Sequence, residues 1–158
     1  MSSTPRRWAG RGAAGVPKSG FIGAKAHRNR ITKMAGEGMI REVGKALFAG
    51  GEAITVEAQI SITSGAVSGK GHVASAPGQP PNQDSGVLGG NIETNQIAPL
   101  VVEVSSNAPY AAPLEFGTSK MEARPYMAPA RDAKRQEVTQ LVRRAVNRAV
   151  KQAKSGDT

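Results

Sequence analysis

The sequence predicts an α+β fold: a small antiparallel β-sheet packed against a long N-terminal helix, with a C-terminal helix and a long Gly/Pro-rich loop. Three observations predict it. Apolar residues recur at helical spacing from Ile31 to Ile62, valines gather at 101–104 beside a proline, and from 138 to 153 apolar and basic positions fall on opposite helix faces. A chain of 158 residues is one domain of ordinary size.

Residues 1–28 read as a basic flexible N-terminal arm. Gly, Ala, Ser, Pro and cations dominate there, and no period is sustained, so little apolar burial offsets the entropy of ordering. Arg6, Arg7 and Arg11 surround Trp8, which could stack on a base or anchor in a neighbour's groove. A single domain is expected over 29–154, and 155–158 as a disordered tail. Asn29 is the expected N-cap of the first helix. Ile31, Met34, Ile40, Val43, Leu47, Ile54, Ala58 and Ile62 supply its apolar stripe. Gly50-Gly51 is where a break or kink is expected, since each mid-helix glycine costs roughly 1 kcal/mol relative to Ala.

Residues 64–90 carry Gly, Ser and Pro throughout and read as a long loop; in a ring assembly such a loop would reach a neighbour. Asn91–Ala98 and Leu100–Ser105 read as strands turned by Pro99. A short strand is expected at Leu114–Phe116, and Gly117 is expected to turn at positive φ. From Pro125 or Ala128 to Lys154 the pattern is helical. Val138, Leu141, Val142, Ala145, Ala149 and Ala153 mark its apolar face, and Arg131, Lys134, Arg135, Arg143, Arg144, Arg148 and Lys151 crowd the rest.

Charge is distributed unevenly. Eight cations and no acid precede Glu37, residues 37–119 hold three cations and eight acids, and residues 120–158 hold ten cations and four acids, for a net +9. Basic ends around an acidic middle favour a polyanion near the ends, or acidic neighbours in an assembly. Candidate polyanion contacts are Arg6, Arg7, Arg11, Arg143, Arg144 and Arg148.

Little points to catalysis. There is no cysteine, which excludes disulfides, thiolate metal sites and cysteine nucleophiles. His27 and His72 lack neighbouring ligands, so no metal is expected. Neither a phosphate-binding glycine loop, a dinucleotide fingerprint nor a nucleophile elbow occurs, and no cofactor is expected. Ser75, His72 and Asp84 could compose a triad only from within one flexible loop, where rigid placement is lacking. Glu115 and Glu122 flank a turn and could share acid–base work; the plainer reading is that Glu115 accepts hydrogen bonds from the turn after it and Glu122 is solvated. No apolar run approaches the roughly 20 residues a bilayer span needs, and no apolar signal core follows the basic N-terminus, so synthesis in the cytoplasm is expected.

Residues 109–130 read PYAAPLEFGTSKMEARPYMAPA. This resembles the signature of the head–tail joining or tail-completion (minor tail, neck) proteins of long-tailed bacteriophages. The matching positions are Tyr110, Ala111, Glu115, Phe116, Gly117, Thr118, Arg124, Pro125, Tyr126, Pro129 and Ala130. Upstream, Ala76-Pro77-Gly78-Gln79-Pro80-Pro81 and the stretch Asp84 to Leu88 are similar to the family's Pro-Gly-x-Pro-Pro and Asp-x-Gly-x-Leu segments. The resemblance covers about residues 30–150 and leaves the basic arm unexplained. It implies a structural virion protein and not an enzyme, forming a ring at the neck, with sixfold symmetry the first expectation and twelvefold the second. Head-closure or connector proteins and a tail terminator or tail tube protein would be its neighbours, packaged DNA would pass close by, and no membrane is involved.

Physically, Tyr110 and Phe116 are expected to close the core over the sheet. Thr118 and Ser119 are expected to cap the turn, Arg124 to pair with Glu115, and Pro125 and Pro129 to lead the chain into the last helix. The rival of a different class is a DNA-binding module using the arm and the C-terminal helix, which would show steep salt dependence. A small hydrolase built on Glu115 is a third reading.

Overall fold

The computed structural model describes residues 28, 29, 31, 32 and 36–155. Its elements, in order, are helix α1 (Glu37–Thr63), a 3-10 turn (Gly69–Gly71), the one-turn helix α2 (Val87–Gly90), strands β1 (Ile92–Ala98) and β2 (Val101–Ser106), the short helix α3 (Ala111–Phe116) and the long helix α4 (Met127–Ser155). This is the expected α+β arrangement.

Helix α1 is the middle layer. The β1–β2 hairpin lies on one side of it and α4 on the other. Two adjacent glycines make this possible. Gly50 is buried against Val138 of α4, and Gly51 is buried against Thr94, Val102 and Val104 of the hairpin. The expected break at Gly50-Gly51 is absent, and the helix runs through both. Their cost in helix propensity is offset by the close approach that a missing Cβ permits on both faces. A Cβ at Gly51 would lie 2.6 Å from Thr94 Cγ2 and 2.9 Å from Val102 Cγ1. Gly51→Leu is therefore expected to push the hairpin away and cost about 2–3 kcal/mol by overpacking, read as a lowered urea midpoint. A variant as stable as the wild type would contradict this packing.

The helix start also differs from expectation. Arg28 and Asn29 are already helical, so Asn29 does not cap, and α1 begins at Glu37 after Gly36 in extended backbone with no side-chain cap. The amides of Met39 and Ile40 both bond to Gly36 O, which closes the first turn. The rest of residues 1–35, including Arg6, Arg7, Trp8 and Arg11 of the arm, lies outside the described residues.

The hairpin forms close to its expected bounds. Thr94 pairs with Val104, Gln96 with Val102, and Ala98 with Val101 across a turn at Pro99-Leu100, with an irregularity at Ile97. Its inner face carries Thr94, Val102 and Val104, and Thr94 Oγ1 lies 2.8 Å from Thr55 Oγ1 on α1. Helix α4 runs antiparallel to α1, as the Gly50–Val138 contact and the 3.3 Å pair of Lys134 with Glu57 show. Lys134 also lies 3.4 Å from Glu137. Glu57 first, then Glu137, hold its ammonium above the ordinary lysine range.

The core is small and concentrated at one end. Ala58 and Ile62 of α1, Leu88, Ile92, Ala108, Ala111, Tyr126 and Ala130 form one buried cluster. Tyr126 and Ile62 are its largest fully buried side chains. Small residues elsewhere let backbones do the packing, consistent with a chain poor in aromatics.

The loop expected over 64–90 is shorter, because Val87–Gly90 form α2, and residues 64–86 are held by their own polar groups and by the domain. Within the segment Asp84 bonds twice, its Oδ1 accepting from Gly69 N at 2.9 Å and its carbonyl from Ser68 Oγ at 2.7 Å. Asn82 Nδ2 donates to Val73 O, Gln83 N to Ile62 O and Gly78 N to Ala123 O. Polar side chains supply here what secondary structure does not.

Candidate functional site

The signature segment folds as a clamp at the start of α4. The N-terminal turn of any helix leaves four amides without an intrahelical partner. In α4 the preceding residue is Tyr126, which offers no short polar side chain to cap them. The carboxylate of Glu115, at the C-terminal end of α3, serves instead. It accepts hydrogen bonds from Tyr126 N at 2.9 Å, Met127 N at 3.0 Å and Ala128 N at 2.9 Å. Pro129 has no amide to satisfy, and Ala130 N begins the ladder by bonding to Tyr126 O. Every donor of the first turn is thus accounted for, and a negative charge sits at the positive end of the helix dipole. Glu115 does receive hydrogen bonds from downstream residues, as expected, but they belong to the helix start beyond the turn. Glu122 is exposed.

Around this cap the chain reverses. Gly117 takes φ of 74°, as expected, and a Cβ there would meet Met121 O at 2.9 Å and Ala123 N at 3.0 Å. Thr118 pairs with Met121 in an isolated bridge, and its Oγ1 accepts from Lys120 N. Arg124 N donates to Leu114 O at 2.7 Å, which closes the reversal.

Three expectations about this segment need correction. The segment expected as a strand at Leu114–Phe116 is the end of α3, because the run from Ala111 packs Ala111 and Leu114 inward at helical spacing. Arg124 does not pair with Glu115, whose oxygens are taken by amides; its Nε donates instead to Ser75 O at 3.0 Å and fastens the 64–86 loop. Tyr110 and Phe116 do not close the core. Tyr110 is 40% exposed and Phe116 81% exposed, while Tyr126, at 1%, is the core aromatic of the segment.

Burial holds the Tyr126 phenol above the ordinary tyrosine range, and the nearby Ser106 hydroxyl acts in the opposite direction. Ser106 Oγ is buried without a well-formed partner, so burial is the dominant cause. A raised acid keeps its proton longer when folded. Stability from this group is therefore whole below about pH 10, where unfolded tyrosine ionises, and is lost as pH rises through the folded value. Urea midpoints measured from about pH 8 to about pH 11 are expected to fall less steeply at the alkaline end in Tyr126→Phe than in the wild type. Parallel alkaline limbs would refute the assignment.

A cavity of about 300 Å³ lies beside the clamp, lined in part by His72, Ser75, Asp84, Tyr110 and Arg124. The hypothetical triad residues share its wall but do not form a relay. His72 Nδ1 faces Val67 O, Asp84 Oδ1 is held by Gly69 N, and Ser75 Oγ is buried without a partner. Among the described residues no group of three or more metal-ligating side chains occurs, and no helix is long and apolar enough to cross a membrane.

The second candidate surface is the outer face of α4, where Arg143, Arg144 and Arg148 are all exposed. Comparison with protein-family models, with curated proteins and with solved structures returns no match.

Proposed function

We propose that this chain is a structural subunit of a tailed-phage neck, which completes the tail end and joins it to the DNA-filled head as part of a ring. The observation that carries the reading is the division of labour within the signature segment. Glu115, Gly117, Arg124, Tyr126 and Pro129 are consumed in holding the clamp together, through bonds, turn geometry and burial. Phe116 is held outward on that frame, and Tyr110 is partly exposed at the wall of the neighbouring cavity. A large apolar group presented on a fixed backbone suits a partner's pocket better than solvent. Roles of this kind require assembly and no reaction.

In this reading the ring is sixfold, or twelvefold, and sits between head-closure or connector proteins and the tail terminator or tail tube. Rings of few small subunits extend their thin cores by contact with neighbours. Electron microscopy of lysates from a phage lacking this gene tests the proposal. DNA-filled heads lying apart from finished tails are expected; normal virions would overturn it.

A further inference from the structure

We infer that the distal half of α4 is a docking surface for the phosphate backbone of duplex DNA, bound without regard to sequence. From Val138 to Ser155 there are five cations, Arg143, Arg144, Arg148, Lys151 and Lys154, and no acid. All five are exposed, and among the described residues no ion pair engages them. In the proximal half acids answer most of the charge: Arg131 meets Asp132, Lys134 meets Glu57 and Glu137, and Arg135 alone is exposed with no ion pair among the described residues.

The character of the face selects the partner. Every exposed residue from Thr139 to Ser155 is polar, including Gln140, Asn147 and Gln152 between the cations. The centre of a protein–protein interface needs an apolar or aromatic anchor, and this face has none. Phosphate oxygens need what it offers: guanidinium forks, ammonium groups and side-chain amides. The five cations span 12 residues, or ~18 Å of helix. Duplex DNA presents one charge per ~1.7 Å along its axis, so each cation can find a phosphate. Stabilisation of the helix's own C-terminus does not explain the pattern, since the dipole effect fades within the last turn and Arg143, Arg144 and Arg148 precede it. No groove-reading motif accompanies them, which is why sequence is not read. DNA is preferred to RNA only on the proposed place at the neck, whereas a phosphate backbone is selected by the face itself.

The test uses the full chain and a fluorescent random-sequence DNA duplex of ~20 base pairs, with anisotropy titrations across a range of salt. Replacing Arg143, Arg144 and Arg148 together by Gln preserves helix propensity at exposed positions. The slope of log K against log salt is expected to become shallower by about 2.7. Affinity near 0.1 M salt is expected to fall by roughly two to three decades, with the circular dichroism unchanged. The corresponding triple Lys variant is expected to keep the wild-type slope. An unchanged slope in the Gln variant would overturn the inference. So would tighter binding of an RNA duplex of equal length, or displacement of the DNA by poly-glutamate at equal charge. Failure here would leave the joining role standing, because head–tail attachment is read separately in lysates.

Discussion

Glu115→Ala is expected to cost about 3 kcal/mol of stability, a large effect for one half-buried side chain. The loss has three parts. Three amides at Tyr126, Met127 and Ala128 lose a charged acceptor at once. The helix dipole of α4 loses its compensating charge. The tie between α3 and α4 goes, which loosens the reversal around Gly117. Hydrogen bonds to charged groups contribute about 1.5–3 kcal/mol each when lost singly, but three on one carboxylate are not additive. Chemical denaturation of purified protein measures the sum. Glu115→Gln retains one good acceptor and is expected to lose about half as much. A loss below about 1 kcal/mol in the Ala variant would mean that water replaces the carboxylate, and the clamp would not be the anchor of the segment.

Much of the layer arrangement was legible in the sequence, for physical reasons that differ between elements. The apolar stripe expected from Ile31 to Ile62 and the segregated faces of the last helix announce their helices because period 3.6 is hard to imitate by chance, although α1 begins only at Glu37 and Ile31 and Ile40 of that stripe are exposed. Val101, Val102 and Val104 with Pro99 announce a hairpin. The uninterrupted course of α1 was not legible. Adjacent glycines are helix breakers by local propensity, and only the presence of Val138 on one side and Val102 on the other overrides that propensity. That is tertiary information absent from the local string.

Within the clamp, Gly117 was legible because its position after a short element demands a positive φ. Assigning Tyr110 and Phe116 to the core failed for a simple reason: size marks a residue as worth burying but does not say which aromatic the fold turns inward. Tyr126 wins because it stands at the junction between the reversal and α4, where Ala108, Ala111 and Ala130 leave room for one large ring. The role of Glu115 had a usable signal. No Ser, Thr, Asp or Asn stands among residues 120–126 just before Met127, and Pro129 removes one donor from the first turn, so a long helix there needs an acceptor from elsewhere. Arg124 had no such signal, because its acceptor is a backbone carbonyl in a loop 49 residues away.

The second large effect concerns assembly and leaves folding untouched. Phe116 is almost wholly exposed, so Phe116→Asp removes little packing and is expected to shift stability by less than about 0.5 kcal/mol. The same change would place a charge where the neck reading puts a desolvated contact, and truncating such anchors commonly costs at least about 2 kcal/mol of association. Summed around a ring, that is enough to abolish joining. Supplying this variant in place of the wild-type chain to a phage lacking the gene, and counting tailed particles by electron microscopy, separates the two roles. A folded Phe116→Asp protein that leaves filled heads and free tails unjoined is the predicted result. A normal yield of tailed virions from that variant would contradict an account in which the signature segment is a rigid frame for presenting a contact to the neck.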